Sequence, residues 1–321
     1  MEINPKDYCI FIASHISKQQ RINLLMECLY SLIKQRMRIC IYISISFENK
    51  ELMDECIEKV SQDDLINRCA FLNILIRNNK CSQMQHFQIL HEKTKSHHKW
   101  IMFCDDDDEY LENRTFKFGE QIVLLEHQIM DTGMKLAGVY ESTFNKDHRE
   151  HGHEYWCYCI HSDILSDFFY KLKDEFEIIE QPCCDVLFSE YLRRKENKWI
   201  FGRLQEKLYM YRDNNNDESV THFITSQQSK YTNTSIPPPK HTNEWYKYIQ
   251  DFNDFLKINM HAFIHDLFVL CINNIRFDKF LKREFLANYA ILEYIDQQYI
   301  ELLKEKHRKF TTFFQSIYEI K

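Results

Sequence analysis

The sequence predicts an α/β protein, a mainly parallel sheet flanked by helices, followed by an α-helical C-terminal extension. Two observations carry this. From Tyr8 to Cys104 short apolar runs alternate with segments of helical periodicity, the order that builds parallel strand pairs through right-handed crossovers. Beyond Pro237–Pro238–Pro239 the strand-like runs stop and aromatic residues recur at helical spacing. The expected organisation is an α/β domain over residues 1–224, a polar linker over 225–243 and a helical extension over 244–321.

Tyr8–Ala13 is a short apolar run and reads as a buried strand. Ile22, Leu25, Met26, Leu29, Leu32 and Ile33 then share one helical face, with Ser17 as the expected N-cap. Arg38–Phe47 is rich in β-branched and aromatic residues, hence a second strand. A helix over Lys50–Val60, a strand over Ala70–Arg77 and a helix over Ser82–Lys95 follow. Lys99–Cys104 is the fourth strand and runs straight into carboxylates. Further strands are expected at Ala137–Glu141, Tyr155–Ile160 and Leu208–Arg212, with helices at Ser162–Lys173 and Pro182–Arg194. In the extension, Trp245, Tyr248, Phe252, Phe255, Phe263 and Leu267 form one apolar set. Phe280, Leu281, Tyr289, Leu292, Ile295, Tyr299 and Leu302 form another. Two long helices in a hairpin are expected, offering a surface to the first domain or to a second copy of the chain, as in a homo-oligomer.

Composition narrows the function. A net charge of −7 supplies no general attraction to nucleic acid or to an anionic membrane. The five glycines, Gly119, Gly133, Gly138, Gly152 and Gly202, are too scattered to assemble a phosphate-cradling loop or a dinucleotide fingerprint. A bound nucleotide needs another grip on its phosphates. The twelve cysteines form no C-x-x-C pair and several sit inside apolar runs, which fits small hydrophobes in a reducing, cytoplasmic compartment. No signal peptide is recognised, and no stretch approaches the roughly 20 apolar residues of a membrane span.

The chemistry concentrates at Asp105–Asp106–Asp107–Asp108, directly after the fourth strand. Ligands of open α/β sheets bind beyond the carboxyl ends of the strands, and adjacent carboxylates there can converge on a hard divalent cation through oxygen ligands. Such a cation, Mn²⁺ or Mg²⁺, would anchor a diphosphate and neutralise a departing nucleoside diphosphate. A solvated acidic loop is the alternative for any charge run.

The segment Trp100–Tyr110 resembles the metal-binding D-x-D motif of nucleotide-sugar glycosyltransferases of the GT-A fold, in a strand–DxDD form. The helix Gln20–Gln35 is similar to the R…L…L-x-S-L…Q pattern of family 2 enzymes, and Cys81–Leu90 resembles the donor-side helix of related viral and microbial members. The likeness spans roughly residues 7–222. It implies that Asp105 contacts the donor ribose, that Asp107 is the main metal ligand and that Asp108 supports it. Asp106, at the variable position, is expected to face solvent. Where the family has an aspartate for the base, this chain has Glu48; Arg77 ends the third strand, and both are expected beside the nucleotide. Asp185, after Pro182–Cys183–Cys184, resembles the helix start that carries the base of inverting members, a place where the helix end favours the ionised form. It reads equally as an ordinary acidic residue of a first turn. Arg212 is expected at the diphosphate, and His222 as a further metal ligand.

The implied activity is metal-dependent transfer of a sugar from a nucleotide donor to a hydroxyl of a glycan or protein, with inversion if Asp185 is the base. Rival readings are a metal-dependent nucleotidyl or phosphoryl transferase and a non-catalytic assembly protein. His148, His151 and His153, with Cys157 and Cys159, lack structural-zinc spacing and read as a polar acceptor loop.

Overall fold

The computed structural model describes residues 2–67, 69–142, 154–194, 199–212, 237–285 and 291–318. The chain divides into two compact units, Met1–Arg212 and Asp213–Lys321. His222, the three loop histidines and residues 225–236 of the expected linker lie outside the described residues.

In the first unit β1 (Tyr8–Ile16), β2 (Cys40–Phe47), β3 (Leu72–Arg77) and β4 (Trp100–Asp105) run parallel. β6 (Lys135–Glu141), β7 (Tyr158–His161) and β8 (Trp199–Leu204) complete a seven-stranded sheet among the described residues, in the order β3-β2-β1-β4-β7-β6-β8. Only β7 is antiparallel to its neighbours, so its N-terminal end lies at the carboxyl edge of the others. A two-stranded ribbon, β5 (Glu109–Tyr110) with β9 (Tyr209–Met210), follows the acidic run. The expected mainly parallel α/β architecture is therefore present.

The central strands are apolar on both faces because both are covered. On one side α1 (Gln19–Ile33) and α5 (Arg114–Ile129) pack Leu25, Leu29, Phe118 and Ile122 against Ile10, Ile12, Ile43 and Met102. The other side is an aromatic cluster. Phe87 of α4 (Gln83–Thr94), Phe168 of α6 (Ser162–Leu172) and Phe188 of α8 (Cys184–Arg194) join Phe11, Phe103 and Tyr155, with neighbouring centroids 4.8–6.5 Å apart. Short helices α2 (Lys50–Gln62), α3 (Asp64–Asn67) and α7 (Phe176–Ile179) fill the connections. Gly138 sits at a bulge where β6 presses on β7: a Cβ there would meet the Cys159 carbonyl oxygen at 2.1 Å. No disulfide is formed among the described cysteines; Cys28 and Cys104 meet as thiols, 3.7 Å apart.

Several local expectations are corrected. The N-cap of α1 is Lys18, not Ser17, and it makes no side-chain capping bond. Ser82, expected as the first helical residue, is instead the N-cap of α4, in a capping box with Gln85. Tyr155–Cys157 is a 3-10 turn, so β7 begins only at Tyr158. Helix α5 and strand β8 were not among the expected elements, although Phe118, Ile122, Leu125 and Ile129 of α5 fall at helical spacing; each carries an interior glycine close to a distant side chain. At Gly119 a Cβ would meet the Ile3 side chain at 2.9 Å, and at Gly202 the Leu125 side chain at 2.0 Å.

The second unit contains α9 (Asn243–Ile272), α10 (Phe277–Phe285) and α11 (Gln297–Ile317). The second long helix thus starts at Gln297, capped by Asp296, rather than spanning 280–302. Phe268 of α9 meets Phe310 and Phe314 of α11 edge-on at 5.2 and 5.1 Å, while Phe285 of α10 packs on Phe252 and Phe263. Contrary to the sequence expectation, α9 is long and apolar enough to cross a membrane, but 61% of its most apolar stretch is buried, as in a core helix.

Candidate functional site

Parallel pairing sets Ala13 of β1 beside Asp105 of β4, so the last residues of β1 and the acidic run share one edge of the sheet. The carboxylates are then held by donors from several elements. Asp105 accepts from Gln83 Nε2 at 2.9 Å and from the Tyr155 hydroxyl. Asp106 is only 4% exposed and accepts from Ser14 Oγ at 2.5 Å and from Arg21. Asp107 accepts from Arg21 Nη1 at 2.9 Å. Asp108, 1% exposed, takes the Tyr209 hydroxyl on one oxygen and the Arg212 backbone N–H on the other, both at 2.8 Å.

This arrangement overturns the placement of Asp106 in solvent. Ser14 and Arg21 draw it inward, and Arg21, on the first turn of α1, bridges Asp106 and Asp107. Burial works against the Arg21 charge, but the two aspartates outweigh it and raise its pKa. Burial likewise raises Asp106, a rise opposed by Arg21. Asp105 is pushed well up by burial and by Asp108, against the Tyr155 hydrogen bond. Burial lifts Asp108 to about 7, opposed by the Arg212 amide.

Asp107, half-buried like Asp105, has its side chain 23% accessible and one oxygen, Oδ2, bonded to Arg21. Among the described residues no group of three or more His, Cys, Asp or Glu side chains is arranged to hold a metal ion. Mg²⁺-type binding, which can use one or two carboxylates completed by water and phosphate oxygens, would here have to rest on Asp107 beside its Arg21 partner. Asp108, expected as a second ligand, has both oxygens engaged beneath the β5–β9 ribbon.

The remaining candidates flank this cluster. At the ends of β1 and β2, Glu48 Oε2 lies 3.1 Å from His15 Nε2, and His15 Nδ1 lies 3.0 Å from Ser46 Oγ. Arg77 ends β3 with its Nε buried and, among the described residues, without a hydrogen-bond partner. The Arg212 guanidinium pairs with Glu27 and Glu109. Asp185 opens α8, and its charge acts on Tyr155, whose hydroxyl holds Asp105. The helix end does not keep Asp185 readily ionised as expected: burial, aided by Glu154, raises it to about 7. Behind the cluster, a fully buried Arg114–Glu141 pair, 2.6 Å apart, braces the ribbon. Arg114 stacks on Tyr110 and Tyr209, and Glu141 accepts the Leu208 amide at 2.5 Å.

Sequence reasoning missed Ser14, Tyr155 and Tyr209 as site residues and noted Arg21 and Gln83 only within helix patterns. Ser14 sits in a strand end that turns polar, the one local hint.

No protein-family profile matches the chain, and no curated protein does either. Among solved structures, S. aureus TarS is similar over 98% of this chain and 55% of its own, at 13% identity and TM-score 0.43. TarS 1-349 in complex with UDP is 12% identical, with 98% and 90% covered and a TM-score of 0.45. Mannosyltransferase PcManGT from Pyrobaculum calidifontis, in complex with GDP-Man and Mn²⁺, is 8% identical, with 96% and 84% covered and a TM-score of 0.46. Likenesses this distant establish neither activity nor ligand.

Proposed function

We propose that the chain is a metal-dependent glycosyltransferase acting from a nucleotide-sugar donor on a hydroxyl of a glycan or protein. One observation carries the reading: Asp106 and Asp108 are buried with both oxygens hydrogen-bonded, while Asp107 stays half-buried at the carboxyl edge of the sheet with its Oδ2 bonded to Arg21. Asp107 would hold Mn²⁺ or Mg²⁺, which when bound supplies charge neutralisation to a departing nucleoside diphosphate. Arg21 orients Asp107 and keeps Asp106 compensated. Asp105, fixed by Gln83 and Tyr155, presents a rigid acceptor toward the ribose. Glu48 and Arg77 border the nucleotide side at the ends of β2 and β3.

Asp185 is the proposed base. A carboxyl lifted to about 7 takes a proton from an acceptor hydroxyl more readily than an ordinary aspartate does, and direct displacement with inversion follows. His222 is proposed as a further metal ligand and Arg212 as a diphosphate contact once released from Glu27 and Glu109. The 1–224 domain would carry the chemistry, and the C-terminal helices would serve packing or self-association. The thiols of the core suit a reducing compartment.

The test is a thermal-shift panel of nucleotide sugars with and without Mn²⁺, followed by donor hydrolysis in wild type and Asp107→Ala. Metal-dependent stabilisation with release of nucleoside diphosphate, lost in the variant, is the expected result. Release of pyrophosphate would favour a nucleotidyl transferase. Full metal-dependent turnover by Asp107→Ala would remove that aspartate from its role.

A further inference from the structure

Beside the acidic cluster, three aromatic rings stand nearly parallel. Trp156 stacks on Tyr209 with centroids 4.3 Å apart and 16° between planes, and on Tyr211 at 5.9 Å and 12°. Tyr209 is buried, Trp156 half-buried, and Tyr211 is 47% exposed. Both ends of the stack are tied to the site. Tyr209 donates to Asp108, and the residue after Tyr211 gives Asp108 its backbone N–H. Trp156 follows Tyr155, whose hydroxyl holds Asp105.

Resting on the glycosyltransferase reading, the geometry points to this stack as a platform for a pyranose ring of the acceptor, with Tyr211 as the contacting face. An aromatic face is electron-rich and meets the weakly positive C–H bonds on one side of a sugar ring. Arg212, the next residue after Tyr211, already pairs with Glu27 and Glu109, charged groups that can meet the sugar hydroxyls. Trp156 keeps the Tyr211 ring oriented before binding, which lowers the ordering cost of association. Topology assigns the ring to the acceptor rather than the nucleobase. Trp156 precedes β7, on one side of β4, whereas Glu48 and Arg77 end β2 and β3 on the other.

Saturation-transfer NMR on the full chain tests this with methyl glycopyranosides of glucose, galactose, mannose and N-acetylglucosamine, and with ribitol. Ribitol carries the hydroxyls without a ring face. Saturation is expected on the C–H protons of one sugar face and not on ribitol. Tyr211→Ala weakens saccharide binding by about tenfold, the equivalent of about 1.4 kcal/mol, and Tyr211→Phe restores it. No saccharide signal in wild type, equal ribitol signal, or equal affinity in the alanine variant overturns the platform. So does displacement of the saccharide by free uridine or guanosine. Wild-type stabilisation by nucleotide sugar with Mn²⁺ separates the two ideas: its absence removes the glycosyltransferase reading, and its presence with Tyr211-independent saccharide binding removes the platform alone.

Discussion

Replacing Arg21 by methionine deletes the one cation that joins Asp106 to Asp107 while keeping much of the side-chain bulk. The magnitude follows from burial. Side-chain exposures of 16% for Arg21, 6% for Asp106 and 23% for Asp107 put the cluster outside the surface regime, where an ion pair contributes about 0–1 kcal/mol. Removing one partner of a buried pair costs about 3–5 kcal/mol, because a buried charge is left uncompensated. Asp106 bears most of that loss, with Ser14 as its remaining partner. The sign with pH follows. Without Arg21 the folded-state pKa of Asp106 rises further, so the folded variant holds a proton that the unfolded chain has released. Stability therefore falls as pH rises from the ordinary carboxylate range to the new pKa, and the deficit is larger at pH 8 than at pH 5. Urea denaturation at both pH values measures it. The double variant Arg21→Met with Asp106→Asn should recover most of the loss, since a neutral amide needs no counter-charge. A deficit below about 1 kcal/mol at pH 8, or no recovery in the double variant, would refute the reasoning.

Other expectations follow from single contacts. If Asp185 is the base, turnover rises with pH through about 7, because the raised pKa shifts the acid limb upward from the usual carboxylate range; Asp185→Asn removes the limb and most of kcat, and a limb near 4 would exclude it. Gly138→Ala forces a Cβ against the Cys159 carbonyl and should destabilise by at least the roughly 1–3 kcal/mol of overpacking, read as a lowered urea midpoint. Phe268→Ala empties the contact among Phe268, Phe310 and Phe314 and should cost about 3–5 kcal/mol, seen as faster amide exchange in α9 and α11.

Much of the fold was legible because buried parallel strands and their covering helices write their burial as local period. Tyr8–Ala13, Arg38–Phe47 and Lys99–Cys104 are continuous apolar runs, and α1 shows its inward face at every turn. Where burial depended on a distant neighbour, the period was not enough. Helix α5 and strand β8 each pack an interior glycine against a distant side chain, Gly119 against Ile3 and Gly202 against Leu125, contacts that local spacing does not register. The long apolar series of the extension spanned a helix break that local spacing could not reveal.

The candidate site divides in the same way. The sequence by itself determined that four carboxylates leave a buried strand at the edge of the sheet where ligands bind, since apolar run and charge run are contiguous. It did not determine which carboxylate faces outward. That choice belongs to Ser14, Arg21, Gln83, Tyr155, Tyr209 and the Arg212 amide, reached from four other parts of the chain. Adjacent aspartates are chemically identical in isolation; only the donors that tertiary packing brings to each one decide that Asp106 and Asp108 turn inward and Asp107 stays accessible.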